Sequence, residues 1–356
     1  MSMASLRTPI ETLSALPTRH SSSPHNRVAV DWIAQELAQI PGVRIERMRF
    51  ELAEGPRVPL ATEVEQVLAW IEGSEPGIVG VGAHLDSINM TDPRSIELLA
   101  PGANDDLSGI AAMIHAAALW AKKPRRKTGL FVAFNAEEQG LLGAKALAER
   151  TVGEDWPLEA FLNMDMIANI GAKDMAANDR EIRVYSDEGS RELARYAEFL
   201  QSASGDPFRI KLVLRPDRIR RGGDHTPLAQ RGYRAIRFTE AVERYDVQHT
   251  PLDTVEHVDF EYLEKVATCV ARVAVALGDG ESSPSEVRAE RSGQGTRLAW
   301  LGDPGQTWTV YWRDTRSAEW TDSREVRGTT LEIPVNLDDN LFGVGAKGAI
   351  PVPATL

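Results

Sequence analysis

Short apolar runs of strand length, several of them delivered straight to an acid or a histidine, constrain this chain more than any other feature. The runs at 67–71, 78–84, 129–135 and 160–164 are nearly continuous in apolar residues, the pattern of strands buried on both faces of a sheet. Helical spacing occupies 107–122 and 141–150 between them. Ahead of them, Val28, Trp32, Ile33 and Leu37 predict an amphipathic helix over 26–40, and alternation predicts a half-exposed strand over 43–52. Behind them come a strand at 182–185, helices at 191–202 and 226–230, a strand at 233–238 and a long amphipathic helix at 259–277. This alternation predicts an α/β fold, a sheet covered by helices on both faces.

The pattern changes at G-D-G-E-S-S-P-S, residues 278–285, a stretch of linker composition. Beyond it no helical period survives, and turn signals at Asp303-Pro304-Gly305 and Asp338-Asp339-Asn340 separate short alternating runs. These predict a small C-terminal β-sandwich and a division into domains 1–280 and 281–356. Trp300, Trp308, Trp312 and Trp320 fall in this part. Bulky core residues are what a small sandwich needs, and packing is favoured over a carbohydrate- or protein-binding surface.

With 356 residues the chain can bury a large core, and its net charge of −12 argues against a nucleic-acid partner. No apolar stretch is long enough for a transmembrane segment. Cys269 is the only cysteine, which precludes an intramolecular disulfide, and it lies in a predicted helix interior. The opening M-S-M-A-S-L-R-T-P lacks the apolar core of a secretory signal. Oligomeric state leaves no mark on the sequence.

The chemistry is concentrated in five motifs. In A-H-L-D, His84 leaves a buried strand at its carboxyl end, where α/β sheets place their sites. Asp86, two residues on, faces the same side and can accept a hydrogen bond from the second ring nitrogen. In P-G-A-N-D-D-L-S-G-I a sharp turn precedes a helix. Asp106 has the plain reading of a helix cap, whereas Asp105, projected just before the helix, can bridge two cations. In F-N-A-E-E, Glu137 and Glu138 can be the exposed start of a helix. As neighbours pointing in different directions, they can also divide metal binding and proton transfer between them. Asp165 ends another apolar strand, and His249 lies in a polar loop with Asp253 four residues on. Each alone has an ordinary structural reading. Together, two histidines and three carboxylates supply ligands for two zinc ions roughly 3.5–4 Å apart, with Glu137 left as base.

These motifs, in this order, resemble the dizinc aminopeptidase family, which includes the bacterial leucine aminopeptidases and the glutamate carboxypeptidases; the likeness spans about 20 to 275. The resemblance implies a mixed β-sheet flanked by helices, with the metals at the carboxyl ends of the strands. It places His84 and Asp165 on one zinc, Glu138 and His249 on the other, and Asp105 between them. Glu137 is then the general base, Asp86 orients His84, and the Asp105–Asp106 peptide is cis. The motif G-G-D-H-T-P-L, with Asp224 and His225, is similar to one that shapes the pocket wall in the family.

A subgroup carries a C-terminal fibronectin type III-like domain, which T-V-Y-W-R-D-T-R-S-A-E-W-T resembles in a short copy. Its members are usually exported, in contrast to the signal-free opening of this chain. The subgroup also has an arginine-rich approach to the pocket, matched here by Arg215, Arg218, Arg220 and Arg221. These arginines are either partners for a substrate carboxylate or a solvated loop.

The expectation is a zinc-dependent exopeptidase, an aminopeptidase acting on peptide substrates with two zinc ions per chain. Water is activated there by the metals and Glu137. Tyr245 is a candidate to stabilise the oxyanion. A carboxypeptidase or dipeptidase on the same site is the alternative. The full ligand set disfavours a single-zinc glutaminyl cyclase and a binding module that has lost its ligands.

Overall fold

The computed structural model describes residues 3–171, 175–217 and 222–356. Two helices, α1 (Met3–Ser14) and α2 (Pro24–Ala38), precede a hairpin of β1 (Arg44–Leu52) and β2 (Thr62–Ile71). Then follow β3 (Ile78–His84), α3 (Leu107–Trp120), β4 (Thr128–Phe134), α4 (Leu142–Gly153) and β5 (Leu158–Met164). The alternation continues through β6 (Glu181–Ser186), α5 (Arg191–Ala203), β7 (Arg209–Val213), α6 (His225–Gln230) and β8 (Ala235–Glu240), and α7 (Phe260–Gly278) closes it.

The eight strands form one mixed sheet in the order β1-β2-β4-β3-β5-β8-β6-β7. Its centre is parallel: β3 pairs with β4 and with β5, and β5 with β8, all in the same direction. Four carboxyl ends therefore open on one edge. Side chains of the central strands divide by alternation. Val79, Val81 and Ala83 of β3, with Phe131 and Ala133 of β4, face a core shared with α1, α2, α3, α5 and α7. Leu130, Val132 and Phe134 face the opposite layer, covered by α4 and α6. On that second face β3 has Gly80 and Gly82, and the Phe161 ring occupies the space: a Cβ on Gly80 would lie 2.2 Å from it. Sequence periodicity thus fixes which layer each side chain enters.

Differences from expectation have local causes. Val28 was expected on the buried stripe of α2 but is 50% exposed; Asn26, Ala29, Val30, Ile33, Ala34 and Leu37 form that stripe instead. Helix α1 was not expected, and it contains Pro9, a residue that ordinarily breaks a helix. Leu6, Ile10 and Leu13 nonetheless recur at helical spacing and are fully buried. Strand β7 is only five residues long and half-exposed, too short for a periodicity signal. Strand β8 starts later than the run suggested, so it ends on the buried Glu240.

From Ser285 the chain forms β9 (Ser285–Ser292), β10 (Gly295–Leu301), β11 (Thr307–Asp314), β12 (Asp322–Arg327), β13 (Thr330–Ile333), β14 (Asn340–Ala346) and β15 (Val352–Pro353). They make a three-stranded sheet, β13-β10-β9, and a four-stranded sheet, β12-β11-β14-β15. Val287, Leu298 and Trp300 from one sheet meet Trp308, Val310 and Val344 from the other in a small core of their own, the arrangement of a sandwich. Trp300, Trp308 and Trp320 are buried, as packing requires.

Tyr311 and Trp320 turn away from that core and join the main one. The Tyr311 ring meets Phe199 edge-on at 5.0 Å and Tyr196 at 6.5 Å, and Arg195 Nε donates to Ala318 O at 2.8 Å. The stretch expected to be a flexible linker is held as well: Lys127 N donates to Gly278 O at 2.9 Å, and Glu281 N to Lys347 O at 2.9 Å. Cys269 is buried in α7. Among the described residues no helix is long and apolar enough to cross a membrane.

Because Trp320 belongs to the core of the large sheet, its loss is felt by the whole fold. Trp320→Ala is expected to lower the unfolding free energy by about 3–5 kcal/mol, measured by chemical denaturation. A change below about 0.5 kcal/mol, the range of surface substitutions, would mean the two parts are not energetically joined there.

Candidate metal centre

His84 is the last residue of β3 and is fully buried. Its Nδ1 lies 3.1 Å from the main-chain oxygen of Asp86 and 3.7 Å from the Asp86 carboxylate. The main-chain oxygen, rather than the expected carboxylate, is therefore the hydrogen-bond partner of the ring. The carboxylate of Asp86 is engaged elsewhere: its two oxygens accept the main-chain N–H groups of Glu137 and Glu138, each at 3.1 Å. Asp86 thereby ties the end of β3 to the turn after β4 and aims both glutamates.

The second ring nitrogen, Nε2 of His84, faces inward, 3.1 Å from Asp105 Oδ1 and 4.0 Å from Asp165 Oδ1. Across the same aspartate, His249 Nε2 lies 3.1 Å from Asp105 Oδ2 and 2.9 Å from Glu138 Oε1. Asp105 thus stands between two histidines, each accompanied by one further carboxylate. Gln248 Nε2 also donates to Asp105 Oδ2 at 2.8 Å. Ligand atoms of His84, Asp105 and Glu138 all lie within 4.8 Å of one another.

The neighbouring acids hold this arrangement in place. The Asp105–Asp106 peptide is cis. Asp106 is the N-cap of α3, accepting from Gly109 N at 3.0 Å, and it also receives His84 N and Met166 N at 3.2 Å each. Its capping reading is the correct one, extended to three elements. Asp253 accepts the main-chain N–H groups of Asn104 and Asp105, both at 2.9 Å. Asn104 donates from Nδ2 to Glu240 Oε2 at 3.0 Å and accepts from Ala168 N at 2.9 Å.

Two arginines complete the frame. Arg19, fully buried, donates from Nε to Leu85 O at 2.7 Å, from Nη2 to Gly102 O at 3.0 Å, and from Nη1 to Pro101 O. It clamps both ends of the loop between β3 and α3. Arg237 reaches Asp165 Oδ2 at 3.2 Å and Asp217 Oδ2 at 3.3 Å. Arg19, Asn104, Gln248, Arg237 and Glu240 carried no signal in the sequence, because their partners are distant along the chain.

Electrostatics set the residues apart. Burial opposes the charge on His84, but contact with Asp105 and the charges of Glu137 and Asp106 outweigh it and raise its pKa well above the ordinary value. His249 is likewise opposed by burial yet is raised to about 11, chiefly by Glu138 and Asp105. Asp105 is held well below the usual range by the two histidines in spite of burial. Glu137, half-buried, moves the other way: burial raises it well above its ordinary value, with Glu138, Asp165 and Asp224 adding to the rise and His84 opposing.

The donor set fits a divalent cation. Asp105 Oδ1 is buried with only the His84 ring nitrogen near it, at 3.1 Å and without hydrogen-bond geometry, and an unsatisfied buried carboxylate oxygen is costly. Imidazole and carboxylate ligands suit zinc.

Asp224 and His225 are buried beside the centre, and burial with the charge of Arg237 lowers His225 to about 3. Tyr245 is 47% exposed and lines a surface cavity of about 340 Å³ with Met175, Arg183 and Val242. Arg215 is exposed, its guanidinium 5.9 Å from the Tyr185 ring centroid. Arg218, Arg220 and Arg221 lie outside the described residues.

A probable zinc metalloprotease of Leptosphaeria maculans is 30% identical, over 98% of this chain and 92% of its own length. The solved LapA aminopeptidase of Legionella pneumophila superposes with a TM-score of 0.64 at 18% identity, covering 79% of this chain and 73% of that one. A glutaminyl cyclase of Porphyromonas gingivalis superposes with a TM-score of 0.61 at 19% identity, covering 76% and 96%. Likeness at this identity shows a shared fold, which both chemistries use. The model of peptidase family M28 matches residues 66–274, and with its zinc-metalloprotease relative this places the chain in peptidase family M28.

Proposed function

We propose that this chain is a zinc-dependent aminopeptidase that uses two metal ions, with Glu137 as general base. The observation that carries the reading is the position of Asp105: one oxygen faces His84, the other faces His249, each at 3.1 Å. His84 and Asp165 would hold one ion, Glu138 and His249 the other, and Asp105 both. When bound, zinc supplies Lewis acidity toward the scissile carbonyl and lowers the proton affinity of water at the centre.

The remaining steps belong to the chain's own groups. Glu137 is half-buried and its main-chain N–H is fixed by Asp86. It takes the proton of the attacking water and delivers it to the leaving amine. The acids clustered at the centre attract the substrate's free ammonium, which supports an N-terminal amine as the recognised end. Residues 1–280 are read as the peptidase unit and 281–356 as a docked fibronectin type III-like unit, on the strength of the separate small core of the latter.

Elemental analysis tests the two-metal reading. The purified protein is expected to carry two zinc ions per chain, and Asp105→Ala to lose most of both; one tightly held ion, indifferent to that change, overturns it. Glu137→Gln preserves shape and abolishes proton transfer, so kcat is expected to fall by about 10²–10⁴ with zinc retained. Peptides acetylated at the N-terminus are expected to be poor substrates, and efficient cleavage of them in place of their free-amine counterparts would sink the aminopeptidase assignment.

A further inference from the structure

The turn between β1 and β2 carries a cation to the rim of the metal centre. Gly55 and Val58 close the turn with reciprocal main-chain hydrogen bonds of 3.0 and 3.3 Å, leaving Arg57 near its tip. From there Arg57 Nη1 donates to Glu138 O at 2.6 Å and stands 4.0 Å from Glu138 Oε2.

The turn is held firmly. Val58 is buried in a small cluster with Leu52, Val64 and Ala136, the residue before Glu137. Arg94 donates to Gly55 O and Pro59 O at 3.0 Å each, and His20 Nε2 lies 3.1 Å from Arg57 O. The guanidinium is therefore positioned in advance, which is what a specificity contact needs.

Its donors are mostly unspent. A guanidinium has five N–H groups, and among the described residues the only partner given to Arg57 by hydrogen bonding is Glu138 O. Its side chain is 40% exposed. Arg237, at the Asp165 side of the centre, is 2% exposed and is committed to Asp165, Asp217 and Gly222 O. Among the described residues, Arg57 is thus an arginine beside a proposed ligand that a substrate can meet.

Charge decides which part of the substrate that is. On the aminopeptidase reading, on which this inference rests, the substrate brings an ammonium at one end, and Arg57 repels it. The Glu138 and His249 side then receives the residue that leaves. One residue of extended chain spans at most about 3.6 Å, so the terminal carboxylate of a dipeptide stays close to the centre, while that of a longer peptide is carried away. We propose that Arg57 is a specificity-determining residue that pairs with a carboxylate on the leaving residue, which makes dipeptides with a free C-terminus preferred substrates. An aspartate or glutamate side chain at the leaving position presents the same group.

Steady-state rates on four compounds separate these sources: Leu-Ala, Leu-Ala amide, Leu-Asp amide and acetyl-Leu-Ala. The wild-type enzyme is expected to favour Leu-Ala over its amide by about tenfold or more in kcat/KM, the worth of one charge-assisted hydrogen bond, mainly through KM. Recovery of the rate with Leu-Asp amide assigns the contact to any carboxylate; no recovery assigns it to the terminal one. Arg57→Met should abolish the preference with zinc content preserved, and Arg57→Lys should restore part of it. Equal rates for Leu-Ala and its amide in the wild-type enzyme overturn the role of Arg57 while leaving the aminopeptidase reading intact. So does an Arg57→Met variant that slows both substrates equally or loses zinc, since that marks a purely positioning role toward Glu138. Cleavage of acetyl-Leu-Ala in place of Leu-Ala overturns the aminopeptidase reading itself, and the inference with it.

Discussion

Crowding carboxylates into a buried space is the constraint around which this molecule is built. An ionised acid removed from water must find donors or a cation, and the carboxyl ends of β3, β4, β5 and β8 bring many acids together. The structure divides them into two kinds. Asp86, Asp106, Asp253 and Glu240 spend their oxygens on main-chain N–H groups of neighbouring loops. Asp105, Glu138 and Asp165 instead turn oxygens toward a shared space with the two histidines. The first kind makes the second affordable, because loops fixed by strong acceptors can hold like charges close together until a cation joins them.

Much of this was legible in the sequence, and for a physical reason. Strands buried on both faces are mostly apolar, so His84 at the end of β3, Asp165 just after β5 and Glu137, three residues after β4, stand out as ionisable residues at or near the ends of such runs. What could not be read was the division of labour among the acids. Asp86 is two residues from His84, yet its carboxylate serves Glu137 and Glu138, which are over fifty positions away. Asp253 stands beside His249 in the sequence but supports Asn104 and Asp105. Arg19 lies in L-P-T-R-H-S-S-S, a stretch without period, and the hydrogen-bond partners of its side chain arrive from the loop after β3. Local pattern identifies the end of a strand; only tertiary pairing says what an acid there is for.

The C-terminal strands teach a related lesson. Alternation and turn residues foretold a sandwich, and its tryptophans are packed as a small core demands. Alternation does not say, however, which outward-facing residues meet solvent and which meet another layer. Tyr311 is such a residue and reaches α5, while Trp320, from the loop after β11, packs on Tyr311 and joins the same core. The polar stretch at 278–285 has the composition of a flexible tether, but its main-chain groups are bonded to both sides. Composition predicts how a free segment behaves, and docking removes that freedom.

The arginines show how the centre stays negative without becoming unstable. Burial pulls Arg19 down to about 10, with Asp253, Asp86, Asp105 and Asp106 opposing the fall, so it remains charged at neutral pH. Burial also acts against Arg237, yet Asp165, Glu243 and Asp217 more than compensate and raise its pKa. Both lie sealed behind the site, where they offset part of the acidic charge without entering the space between His84 and His249. Neutralising the remainder from the same direction would need a side chain inside that space, which would fill it. A small divalent ion faces no such conflict: it brings its charge without a stem, and the ligand atoms of His84, Asp105 and Glu138 that cluster for it come from the end of β3, the start of α3 and the turn after β4. Since those elements are already fixed by scaffold acids and by Arg19, little ordering remains to be done on binding, and most of the intrinsic affinity for the ion is retained.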